Sequence, residues 1–191
     1  MSLLHNALLD ANEIHLGQFR KEGIPFIIHP LEVLKRLNLW NIKDERLWVV
    51  ALLHDSIEDN RSAAEPIVKK YPEDIYNMVQ FLTFRGRREG ESHDEYNKNK
   101  SNYLEKIANI GSVESLVVKL ADRYCNVMDF STRDKKYALK YLNYAKCLTD
   151  TITSRATEIA EHFGQLTLGS LSYDFHKLRE FLTPKGDGHG S

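Results

Sequence analysis

Apolar residues recur every three or four positions along most of the chain, which is the spacing of one buried helix face. Leu4, Ala7, Leu8, Ala11, Ile14 and Leu16 predict a first helix over about residues 3–19. Gly23 and Pro25 break that spacing, and FIIHP reads as a short extended run. Pro30 suits the first turn of a helix over 30–38, where its missing N–H forfeits no bond. Residues 44–57 are apolar on most sides, so a helix there belongs in the middle of a domain. Shorter helices over 63–70 and 73–83 are split by Tyr71-Pro72. Residues 84–101 are polar and glycine-bearing, a loop with a helix resuming near Asp94. Ser112 serves as N-cap of an apolar helix over 112–130. The spacing from Ala138 to Phe163 predicts one long amphipathic helix over 134–163, closed by Gly164. A last helix over 168–182 stops at Pro184. No alternating strand pattern and no internal repeat interrupts this series. The fold class is therefore all-α, with residues 1–183 as one domain and 184–191 as a flexible C-terminal tail.

A length of 191 residues fits one domain. The formal charge of −1 removes any whole-molecule argument for binding nucleic acid or a membrane surface. Cys125 and Cys147 form neither a disulfide framework nor a paired zinc motif. The first residues lack the basic start of a secretory signal, and no stretch reaches the roughly 18–20 apolar residues of a membrane span. A cytoplasmic, reducing setting is the expectation, with neither nucleic acid nor membrane as partner. The 134–163 helix offers a face either to the core or to a second copy in a homodimer.

Candidate chemistry concentrates in ALLHDSIEDN. On a helix His54 and Glu58 are four apart, as are Asp55 and Asp59, directly after an apolar run. Burying carboxylates costs several kcal/mol unless they are paired or hold a cation. Either the helix surfaces here as a solvated polar end, or the groups bind an ion. Asp122 poses the same choice inside SLVVKLADRYCNV, where Lys119, Arg123 or Asn126 are its alternative partners. His29, just before a helix, is alone more consistent with a structural histidine. Together His29, His54, Asp55 and Asp122 supply two imidazoles and two carboxylates, a set suited to Mn²⁺, Fe²⁺ or Zn²⁺ with positions left for water and substrate.

The pattern H…HD…D, with HD inside ALLHDSIED, resembles the HD phosphohydrolase superfamily. It is most similar to the hydrolase domain of the RelA/SpoT alarmone enzymes and their small stand-alone, Mesh-type relatives. HLGQFRKEGIPFIIHPLEV, ALLHDSIED, LTFRGRREGESHDEY and VKLADRYCNV carry the resemblance, in the family's order, over about residues 5–150. It implies an HD-domain helical bundle with a central metal site. His29, His54, Asp55 and Asp122 match the ligands of one ion, usually Mn²⁺. Glu58 and Asp59 match the acidic pair that positions or activates the attacking water. Arg20 and Lys21 match a basic pair whose arginine packs on guanine, Asn126 a nucleoside contact, and Tyr141 a substrate-binding tyrosine. Residues 84–101 are longer and more charged than in many alarmone hydrolases, and Arg85, Arg87 and Arg88 are candidates for neutralising phosphate, against a solvated loop as the reading for at least one of the three. Nothing resembles the family's synthetase domain.

The implied reaction is metal-dependent removal of the 3′-pyrophosphate of guanosine tetra- or pentaphosphate, leaving GDP or GTP. Two alternatives stand beside it. One is an HD phosphatase acting on another nucleotide, such as a 5′-mononucleotide, a dNTP or NADPH. The other is a non-catalytic nucleotide-binding HD domain, which would have no need of Glu58 and Asp59 together.

Overall fold

The computed structural model describes residues 2–184, so the tail expected over 184–191 lies outside the described residues apart from Pro184. Ser2 caps α1 (Leu3–Ile14), its side chain accepting from the His5 amide. The helix stops well short of residue 19. His15 caps it, and Gly17 turns the chain at φ 78°, a conformation open to glycine. Residues 15–27 form a loop with one helical turn (Lys21–Gly23), pinned by an isolated β-bridge between Phe19 and Pro25. The extended run expected at FIIHP is absent, because α2 (Ile28–Leu39) begins inside it. Pro30 still falls in the first turn, where no N–H is missed.

The apolar 44–57 stretch is two helices rather than one. Asp44 caps α3 (Glu45–Leu53), and a single turn, α4 (Ser56–Asp59), follows. The interruption falls on His54 and Asp55. Next come α5 (Arg61–Val68), α6 (Glu73–Leu82) and α7 (His93–Ile110). Ser92 and Glu95 close a reciprocal capping box at the start of α7. Ser112 caps α8 (Val113–Ser131), the central helix, which touches α2, α3, α6, α7 and the whole C-terminal half. Nearly every residue of α8 from Val113 to Cys125 is buried, including Lys119, Asp122 and Arg123.

The helix expected over 134–163 is three helices: α9 (Lys135–Tyr144), α10 (Lys146–Ser154) and α11 (Ala156–Phe163). A straight helix of that length would run about 45 Å. That is far beyond the 19-residue α8, against which all three pieces pack. Bends at Ala145 and Arg155 keep one apolar face on the core while the chain curves around it. Gly164, at φ 91°, then starts α12 (Gln165–Leu182). Among the described residues no helix is long and apolar enough to cross a membrane.

Candidate metal centre

Two imidazoles and two carboxylates meet where α2, the α3–α4 break and α8 come together. One potential ligand atom from each of His29, His54, Asp55 and Asp122 lies within 4.8 Å of the others. His29 Nε2 is 3.2 Å from Asp122 Oδ1 and 3.5 Å from Asp55 Oδ2. His54 Nε2 is 3.1 Å from Asp55 Oδ1 and 3.7 Å from Asp122 Oδ1. Asp122 and both histidines are buried, and Asp55 is half-buried. The break between α3 and α4 matters here: it presents consecutive residues, His54 and Asp55, to the same point.

A divalent cation fits this set on three grounds. His54 Nδ1 lies 2.8 Å from the Ala51 carbonyl, which fixes the proton on Nδ1 and leaves the Nε2 lone pair facing the carboxylates. His54 Nε2 is buried and has no hydrogen-bond partner. Two aspartates with two neutral imidazoles also carry two negative charges, which a dication balances. Without a cation, protons take that role. Burial disfavours charge on His54, but Asp55 and Asp122 outweigh it and push its pKa up to about 10. His29 is raised for the same reason. Burial would raise the aspartates, yet His54 and His29 hold Asp55 well below the carboxylate range, and Lys119 and both imidazoles do so for Asp122.

A second layer fixes Asp122. Lys119 Nζ lies 2.8 Å from Oδ2, and Asn126 Nδ2 donates to Oδ1. Arg20 Nη2 donates to Asn126 Oδ1 at 2.5 Å, and its guanidinium lies 3.7 Å from Asp129. The ion pair and amide contact considered as alternatives to ligation at Asp122 are thus both present, alongside the histidines. His15 stacks on Phe26 at 4.6 Å and bonds Gln18, a packing role behind His29.

A cavity of about 210 Å³ opens above the cluster. His29, Asp55, Asp122, Glu58, Asp59, Arg20, Asn126 and Tyr141 all line it. Lys21 does not; it is exposed on the short helical turn. Glu58 and Asp59 reach solvent at the mouth but lose much of their hydration to surrounding protein. That loss, with the charges of Asp55 and Glu58, pushes Asp59 up to about 7. Desolvation also raises Glu58, against the pull of Lys119 and of the Phe84 amide, which donates to Oε2 at 3.0 Å. A wider depression of about 540 Å³ between α2 and α12 contains none of these groups.

Sequence reasoning missed Lys100 and Arg123, which also line the cavity. Arg123 is 2% exposed, stacks on Tyr141 at 4.0 Å, and has Nε and Nη1 buried with no hydrogen-bond partner. Its signal was a cation inside the apolar run of α8, a position that demands a counter-charge. Lys100 sits on a polar helix and gave no signal. By contrast, Arg85 pairs with Glu91 and Arg87 donates to the Glu91 carbonyl, so these two arginines hold their own loop and are not free for phosphate.

A family model described as an HD domain matches residues 7–146. A guanosine-3′,5′-bis(diphosphate) 3′-pyrophosphohydrolase of Borreliella burgdorferi is 29% identical over 94% of this chain and 27% of its own length. A GTP pyrophosphokinase of Myxococcus xanthus is 28% identical over 95% of this chain and 24% of its own. The chain thus spans about a quarter of these curated relatives. A solved structure, described as a metazoan ortholog of SpoT that hydrolyzes ppGpp, superposes with a TM-score of 0.69 at 22% identity. It covers 93% of this chain and 96% of its own, a likeness that shows the fold. With its HD dipeptide at the α3–α4 break and its partner histidine and aspartate delivered from α2 and α8, this chain belongs to the HD domain family.

Proposed function

We propose that this chain, with residues 1–183 as one working unit, is a metal-dependent hydrolase. It removes the 3′-pyrophosphate of guanosine tetra- or pentaphosphate, giving pyrophosphate and GDP or GTP. One observation carries the reading: a two-histidine, two-aspartate cluster lies beneath a cavity whose walls hold both an acidic pair and a buried arginine, Arg123, without full hydrogen-bond partners. The names of the relatives point to the same substrate.

His29, His54, Asp55 and Asp122 would hold one Mn²⁺ per chain. When bound, the ion lowers the pKa of water and polarises a phosphoryl oxygen. Asp59, poised near neutrality, is matched to accepting a proton at pH 7. Glu58 has one oxygen committed to the Phe84 amide and serves as the fixed acceptor that orients the water. The water oxygen bonds to the phosphorus attached to O3′, the O3′–P bond breaks, and O3′ takes a proton. Arg123 and Lys100 face the pyrophosphate. Arg123 lines the cavity and supplies positive charge to the phosphate oxygens, and stacking on Tyr141 holds the guanidinium in place. Arg20 and Asn126 sit at the edge where the nucleoside enters, with Arg20 for the base. Every residue named comes from one chain, and a soluble nucleotide substrate suits the cytoplasm.

The test is hydrolysis of a nucleotide panel with and without Mn²⁺, with pyrophosphate and orthophosphate both measured. The expected result is pyrophosphate from guanosine tetraphosphate, abolished in His54→Ala with loss of bound metal. Orthophosphate from another nucleotide as the sole product would replace the substrate assignment. Full Mn²⁺-stimulated turnover in His54→Ala would remove the metal assignment.

A further inference from the structure

The side-chain amide of Asn126 is engaged at both ends. Its Nδ2 donates to Asp122 Oδ1, and its Oδ1 accepts from Arg20 Nη2 at 2.5 Å. The amide sits only this way round, because a carboxylate offers acceptors alone and a guanidinium donors alone. Asp122 Oδ1 is also the oxygen that faces both imidazoles, 3.2 Å from His29 Nε2 and 3.7 Å from His54 Nε2. Asn126 therefore bonds the oxygen aimed at the metal position, whereas Lys119 takes Oδ2 at 2.8 Å.

A carboxylate gripped at one oxygen can still pivot about that contact. A second bond at the other oxygen removes the pivot. The two grips reach Asp122 from either side along α8, Lys119 three residues before it and Asn126 four after. What pins the amide lies off the helix. Arg20 belongs to the 15–27 loop, where its own amide donates to the Ile24 carbonyl at 2.8 Å and its carbonyl accepts from the Gly23 amide at 3.2 Å, beside the Phe19–Pro25 bridge. Its guanidinium is also 3.7 Å from Asp129, which Arg133 pairs at 2.6 Å. The Asn126 amide is thus strung between a rooted arginine and a metal-facing carboxylate.

We propose that Asn126 is a positioning residue of the metal centre: pinned by Arg20, it fixes the metal-facing oxygen of Asp122 and so raises the affinity of the site for its ion. The inference rests on the four-residue metal site proposed above and not on which nucleotide the enzyme takes. Substituting a group behind a metal ligand costs about 10–100-fold in metal affinity or activity. The loss here belongs at the low end, about tenfold, because Lys119 keeps its grip on Oδ2.

The experiment is Mn²⁺ titration of the whole chain without nucleotide, with free ion read by electron paramagnetic resonance, for wild type, Asn126→Leu and Asn126→Ala. Leucine matches the amide in size and keeps water out of the gap; alanine serves where leucine does not pack. Urea unfolding with chelator, run alongside, establishes that each variant is folded. The expected result is a Kd raised about tenfold at unchanged stoichiometry. A Kd within about twofold of wild type in a folded variant would overturn the proposal, since a residue that only packs, or only touches the nucleoside, shifts the urea midpoint or the KM and leaves the substrate-free Kd alone. If wild type binds Mn²⁺ but turns over no nucleotide, the functional reading fails and the titration still decides the role of Asn126. A wild-type chain that takes up no Mn²⁺ would overturn both.

Discussion

Lys119 is the least conspicuous charge at the centre and the one whose removal says most about it. Its ammonium is buried and 2.8 Å from Asp122 Oδ2, beside a carboxylate whose other oxygen faces two imidazoles. Breaking a buried ion pair by deleting one partner costs about 3–5 kcal/mol, because the surviving charge stays desolvated and unpaired. Lys119→Met keeps much of the volume and removes the charge. In chelator-treated protein the expected loss is about 3 kcal/mol in urea unfolding. With saturating Mn²⁺ the loss should be clearly smaller, since the ion then supplies Asp122 with positive charge. Equal losses under both conditions would mean that Asp122 is not in contact with the ion. The sequence displayed Lys119 three residues before Asp122, the right spacing for a pair on one helix. Nothing local said that the pair also faced His29, 93 residues away.

Helix breaks are where the sequence was hardest to read and where they matter most. Helical periodicity survives a bend as long as both pieces put the same face on the core, so the 134–163 stripe reads as one helix although it is three. Likewise 44–57 reads as one helix, though its break brings His54 and Asp55 to one point. Caps were the legible part: Ser112 before α8 and Gly164 after α11 stand where the side-chain chemistry puts them. The S-x-x-E pattern at Ser92–Glu95 marks the start of α7, which the polar run around it obscured. The bend at Arg155 has a second use. Arg155 Nη1 donates to the Gly111 carbonyl at 2.8 Å and lies 3.4 Å from the Ala108 carbonyl, closing the last turn of α7. Glu158 holds the other side of the guanidinium. Hydrogen bonds from charged donors contribute about 1.5–3 kcal/mol. Arg155→Ala should therefore cost about 2 kcal/mol in urea unfolding. Glu158→Ala should cost less, because the carbonyl contacts remain. Arg155→Ala within 0.5 kcal/mol of wild type, a typical surface change, would show that α7 needs no such closure.

At the scale of the whole molecule the metal centre is a fastening between α2, the α3–α4 break and α8, so its occupancy must be visible in global stability and in its response to pH. In the metal-free protein, His54 is raised from 6.5 to about 10 by Asp55 and Asp122. A group with a folded pKa above its unfolded value contributes stability that is complete below about pH 6.5 and is lost as pH rises toward 10. The metal-free protein should therefore weaken between pH 6.5 and 8.5. Asp55 and Asp122, held low, stay ionised throughout that window and contribute no slope, while Asp59, raised to about 7, adds to the fall at its lower end. A bound dication requires neutral imidazoles, so it competes with those same protons and binds more tightly as pH rises. Ligand at 100 times its Kd adds about 2.7 kcal/mol to folding, and each tenfold tightening adds about 1.4. The two trends act together: the Tm increase on adding a fixed free Mn²⁺ concentration should be larger at pH 8.5 than at 6.5. Scanning calorimetry at the two pH values, with chelator and with Mn²⁺, measures the four numbers needed. A Tm increase that is flat or shrinks with pH would mean that the imidazoles do not exchange protons for metal, and His54→Ala, in which the increase should nearly vanish, identifies the site responsible.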